Sequence, residues 1–149
     1  MKDFFLLGKP AGDKANSAAL LFLRVSIGFL MITHGWGKLQ NFEVMSGGFP
    51  DPLGVGIKTS LMLAIGAEFF ASTFLIAGLL TRFSLIPLMF TMGMAFFVIH
   101  SNDPLQTKEL AIVYLVIYIF LFIKGPGKFS LDNLLSGKLS KKKLNPLFT

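Results

Sequence analysis

Arg24, His34, Lys38, Glu68, His100 and Glu109 stand in or beside long apolar runs, and each can move a proton, pair with a charge or hold a polar ligand. The stretch "FLRVSIGFLMITHGWGKLQNF", residues 22–42, holds three of them together with Trp36. A carboxylate near titratable donors is the minimum equipment for acid–base work. Glu68, His34 and Lys38 are therefore the candidate catalytic residues. Arg24, Trp36, His100 and Glu109 are candidates for contacting a bound molecule. Two histidines make a thin ligand set, with no Cys or carboxylate motif beside them, so neither a metal site nor a tightly bound cofactor is expected. The chain has no Cys, which removes thiol exchange, Fe–S ligation and disulfides from its chemistry.

What holds these residues is unusually greasy. Of 149 residues, 53% are hydrophobic and 15% charged, too apolar for a soluble domain of this length. The charges cluster between four apolar runs, and a bilayer core takes about 20 apolar residues in helix. The runs predict spanning helices at about 17–37, 60–80, 83–100 and 106–124. They are continuous rather than alternating, and an open sheet edge has no hydrogen-bond partners in lipid, so strands are a poor alternative. Short connections make sequential helices antiparallel neighbours. The expected fold is all-α: a single-domain integral membrane four-helix up-down bundle.

Of fourteen Lys and Arg, Lys38, Lys58 and Lys108 fall on one side and Arg24 lies inside the first run, leaving ten on the side of the two chain ends. This bias predicts that both termini are cytoplasmic. The net charge of +6 then reflects topology, and no nucleic-acid motif accompanies it. After the last run, residues 129–149 combine helically spaced leucines with lysines, the pattern of a cytoplasmic amphipathic segment drawn to anionic lipid.

A charge in the bilayer costs at least ~3 kcal/mol on insertion scales, so each one needs a partner. Counted inward from the ends of their apolar runs, Arg24 and Glu68 lie within one side chain's reach of each other. An Arg24–Glu68 ion pair is expected, flanked by small residues that let the helices approach. Phe69, Phe70, Phe74, Phe96 and Phe97 are candidate walls for a pocket. A purely structural pair, fixing only helix packing, accounts for the same residues.

The order of features, Arg24, then "HGWGKL", "GAEFFASTFLIAGLLTRFS", "AFFVIH", "KELAIVYLVIYIFLF" and "GPGKFSLD", resembles the DoxX family of small bacterial membrane proteins. The resemblance covers about residues 20–135. It implies a four-helix protein of the bacterial inner membrane tied to thiosulfate, quinone or thiol-stress redox chemistry. The family's recurrent polar positions map onto Arg24, His34, Gly35, Gly37, Lys38, Glu68, His100 and Glu109, with Ser130 and Asp132 after the last helix. The leading expectation is a component of a membrane oxidoreductase system that engages a quinone-like molecule. Lipid, a soluble redox enzyme and further copies of the chain are the other expected partners. A non-catalytic scaffold for soluble redox enzymes is the alternative, and a small-molecule transporter a third reading.

Overall fold

A computed structural model describes residues 12–143, and all regular structure among them is helical. Four helices are long and apolar enough to cross a membrane: α1 (Asp13–Gln40), α3 (Ile57–Ala77), α4 (Thr81–Ile99) and α5 (Leu105–Lys124). A one-turn helix, α2 (Phe42–Met45), follows α1, and α6 (Leu131–Lys143) follows α5. The expected amphipathic segment is thus helical over α6, and its last six residues lie outside the described part. The shortest spanning helix has 19 residues, about 28 Å at the helical rise, against a hydrocarbon core of about 30 Å. The chain is a multi-pass membrane protein.

The helices stop where the backbone requires it. At the end of α3, Gly78 (φ 66°) takes the left-handed conformation. Its N–H donates to the Leu75 carbonyl and that of Leu79 to the Phe74 carbonyl, which closes the helix with a Schellman turn. Pro104 precedes α5, and the sequence Gly125–Pro126–Gly127 ends it. The α3–α4 turn and α6 share one face of the bundle, here the tail face. The 41–56 and 100–104 connections share the other, the loop face.

The core lies between the four spans, where Ile27, Met31, Leu75, Leu88, Tyr118 and Leu121 meet. Phe22, Phe29, Phe83 and Phe97 point outward, giving the bundle the apolar exterior that lipid demands. α1 packs along α3 and α4 along α5. The α1–α3 approach depends on two glycines. A Cβ on Gly28 would fall 2.6 Å from the Ile76 side chain, and one on Gly35 only 2.7 Å from the backbone nitrogen of Phe69.

Backbone cannot swing aside as a side chain can. Gly35→Ala is therefore expected to force α1 from α3 and cost about 1–3 kcal/mol. Gly37→Ala, with open space at its Cβ position, should move stability by less than about 1 kcal/mol. Thermal unfolding midpoints in detergent check this, and equal midpoints for the two variants would remove the close approach as a source of stability.

Candidate functional site

Arg24 and Glu68 do not pair. They belong to two polar clusters at different depths. The glycine contacts set the register of the antiparallel helices: Gly35 packs at the level of Glu68, and Gly28 at Ser72 and Ile76. Arg24 is eleven residues from Gly35, about 16 Å along the helix. Side chains also lean toward their own helix N-terminus. Arg24 therefore leans to the tail face and Glu68 to the loop face, away from each other. Lys38 leans inward from the far end of α1 and meets Glu68, Nζ to Oε2 at 2.5 Å.

Arg24, 1% exposed, donates instead to backbone carbonyls: Nε to Ile76 (3.3 Å), Nη1 to Pro126 (2.5 Å) and Nη2 to Phe129 (2.8 Å). The Ile76 carbonyl is in the last turn of α3, where the helix has no donor of its own and its dipole favours a cation. Asp132 performs the complementary task for α4. Its carboxylate accepts from the N–H groups of Leu80 (2.7 Å) and Thr81 (2.9 Å), capping α4 from another helix. That bond helps hold Leu80 at φ 47°, a conformation costly for a residue with a side chain. Burial pushes the Asp132 carboxyl up, but the Thr81 and Leu80 bonds and the nearby Arg24 charge outweigh it and leave it below the usual carboxylate range.

Ser130 completes this clasp. Its hydroxyl donates to the Gly127 carbonyl (2.7 Å) and accepts from the Asn133 N–H (3.2 Å), starting α6. Gly78 has no room for a side chain, since a Cβ would fall 2.7 Å from both Arg24 Nη1 and Ser130 Cβ.

The second cluster opens on a cavity of about 350 Å³ between α3 and α4, in the loop-face half of the bundle. Glu68, 4% exposed, and Lys38 form part of its wall, with Ser60, Phe90, Thr91 and His100. Both π-helical segments border it: Gly66–Ala71 carries Glu68 and Ala67, and Ala95–Ile99 contributes its two end residues. Such turns widen a helix and recur at functional sites.

Above the cavity lies the 49–53 connection, held by Asp51, whose carboxylate accepts from Ser60 Oγ (2.6 Å) and the N–H groups of Gly56 (2.8 Å) and Val55 (3.1 Å). The Ser60 bond, with those N–H groups, keeps the Asp51 carboxyl below its ordinary range. Sequence reasoning missed Asp51, although an acidic residue just ahead of "GVG" and a helix start is a capping signal.

The remaining candidates are spread around the loop-face half. His100 lines the cavity, its Nδ1 2.6 Å from Asp103 Oδ2. His34 is exposed and meets Tyr114 edge-on at 6.1 Å. Trp36 is exposed and lies tilted on Phe69 at 5.9 Å. Glu109 is exposed and Arg24 sits in the clasp, so His34, Trp36, Glu109 and Arg24 are not in the cavity wall. Of the phenylalanines among the described residues, Phe49 and Phe90 line it, whereas Phe69, Phe70, Phe74, Phe96 and Phe97 do not. Two buried tyrosines, Tyr114 and Tyr118, pack on each other with ring centroids 5.8 Å apart. Among the described residues, no three His, Asp or Glu side chains converge on a metal-sized site.

The DoxX family model matches residues 19–101. An uncharacterized protein of Haemophilus influenzae is 31% identical over 132 residues, covering 81% of this chain and 93% of the relative. The inner membrane protein YqjF of Escherichia coli is 30% identical over 133 residues, covering 84% of this chain and 98% of the relative. No solved structure matches the chain.

Proposed function

The chain belongs to the DoxX family, and we propose that it binds a neutral quinone-like molecule in the α3–α4 cavity as the membrane component of an oxidoreductase system. The observation that carries this reading is the Lys38–Glu68 contact in a wall that is mostly apolar, with Ser60, Thr91 and His100 as its other polar residues. The two charges cancel, so an anion would meet Glu68 and a cation would meet Lys38 at close range. A neutral head is favoured over either.

The pair still has capacity to bind one. An ammonium carries three protons, and only one is used on Glu68. Glu68 Oε1 makes no hydrogen bond among the described residues. A carbonyl oxygen accepts from Lys38, and a ring hydroxyl donates to Glu68; quinone and quinol are the oxidised and reduced forms of that one pattern. When a quinol is oxidised, two protons and two electrons leave it. Glu68 takes one hydroxyl proton, and the second proton leaves with the two electrons to a partner redox protein, since the chain has no Cys to take electrons as a disulfide or an Fe–S ligand.

The lysine-rich tail face lies toward the cytoplasm of a bacterial inner membrane, following the charge bias. The cavity is then in the opposite half of the bilayer, so a partner taking electrons directly docks on the loop face.

The test is binding of a short-chain benzoquinone to purified protein in lipid nanodiscs. Hydrogen bonds to charged groups contribute about 1.5–3 kcal/mol, so Lys38→Met/Glu68→Leu should weaken binding at least about tenfold. The same change should abolish quinol oxidation by an added acceptor. If this double variant binds quinone as the native chain does, the pair is not the ligand's anchor and the reading falls.

A further inference from the structure

The shape of the cavity carries more than the chemistry of its wall. Along α4 it runs from His100 to Pro87, thirteen residues or about 20 Å. Along α3 it runs from Ser60 to Glu68, about 12 Å toward the bilayer interior. The Lys38–Glu68 pair is thus at its buried end. The end toward the loop face is covered by residues 49–53, which Asp51 ties to the start of α3.

Its side is not covered. Leu63 on α3 is 56% exposed and Phe90 on α4 is 53% exposed, and both line the cavity. Both also sit within spanning helices, so what they face is hydrocarbon. The slot opens sideways into lipid, with apolar lips.

Resting on the quinone-like head proposed for this cavity, we infer that the physiological ligand is a tailed, membrane-dissolved amphiphile that enters between Leu63 and Phe90. Its ring goes inward to Lys38 and Glu68, and its hydrocarbon tail stays in the bilayer. A volume of about 350 Å³ suits this division, because it takes a substituted ring and the first part of a chain but not a long tail. The apolar lips give no partner to a hydrated solute, whereas a lipid-dissolved molecule loses no hydration in crossing them. A water-soluble substrate would instead need passage past residues 49–53, whose Asp51 has its bonds turned to the backbone and Ser60.

The test uses the native chain in nanodiscs and a dimethoxy-methylbenzoquinone whose alkyl tail carries a diazirine close to the ring. After irradiation, label that excess unmodified tailed quinone competes away is mapped by peptide sequencing. It should fall on α3 around Leu63 and on α4 around Phe90, and Leu63→Trp, which narrows the slot, should reduce it severalfold. Competed label on residues 49–53 or on His100–Asp103 would mean that the tail leaves toward water; the lateral entry then fails while the pocket stands. Lateral entry fails in the same way if a tail-less ring binds and the tailed probe does not. No competed label with the tailed probe, together with no binding of the tail-less ring, would overturn both this inference and the quinone reading it rests on.

Discussion

Lys38→Met, with Glu68 left in place, is expected to destabilise the protein by about 3–5 kcal/mol, and adding Glu68→Leu is expected to restore most of the loss. What each single change leaves behind sets its cost. Glu68 is buried at the α1–α3 contact, where Gly35 brings the two backbones together. Without Lys38 its charge is buried with no counter-ion among the described residues. The double variant leaves no charge to solvate and fills the same space with hydrocarbon. The native pair therefore contributes little net stability, and its retention would follow from the ligand rather than the fold. Unfolding midpoints of the native chain, both single variants and the double variant close the cycle. A double variant no more stable than Lys38→Met would show that the ion pair itself, not the stranded charge, sets the cost.

The same cycle separates structure from chemistry. A merely structural pair predicts that the rescued double variant keeps every property of the native chain. A ligand-binding pair predicts a stable protein that no longer holds quinone.

How much of this was visible in the sequence divides along physical lines. The four spans were legible because bilayer thickness fixes helix length and leaves only apolar residues able to fill it. The expected 17–37 and 60–80 runs appear as Asp13–Gln40 and Ile57–Ala77. The first extends into polar residues at both ends and the second starts three residues early, at Ile57, but Gly78 stops it three residues short of the expected end. Lys38 and Glu68 were legible as charges in the wrong solvent.

Their pairing was not legible. Depth counted from the ends of apolar runs puts Arg24 beside Glu68, but the register of α1 on α3 is set by Gly28 and Gly35 fitting the opposing helix. Once that register is known, the lean of side chains toward each helix N-terminus decides the partners. The π-helical turn carrying Glu68 has no local signature, because it arises from packing between helices. The roles of Ser130 and Asp132 were hidden as well. Nothing local shows that a carboxylate beyond α5 caps the start of α4, 51 residues earlier in the chain.

Arg24→Met is expected to release α6 from the bundle while leaving the loop-face cavity assembled. Three carbonyls, of Ile76, Pro126 and Phe129, lose their donor. At roughly 1–3 kcal/mol for each unsatisfied buried group, the loss is at least about 3 kcal/mol. Asp132 also loses its nearest buried cation, which loosens the cap on α4 and the strained turn at Leu80. Lysine is no substitute, since one ammonium cannot reproduce the planar fork that spans three acceptors. Arg24→Lys should therefore fall between the native chain and Arg24→Met. The effect stays local because Arg24 and Lys38 are fourteen residues apart on one unbroken helix, about 21 Å. Limited trypsin digestion reads it directly. Cleavage after Lys128 and Lys138, both exposed, should become much faster in Arg24→Met, while quinone binding in nanodiscs persists. If α6 stays as protected as in the native chain, the three carbonyl bonds do not hold it. If binding is lost together with protection, the two clusters are one cooperative unit rather than a clasp and a separate site.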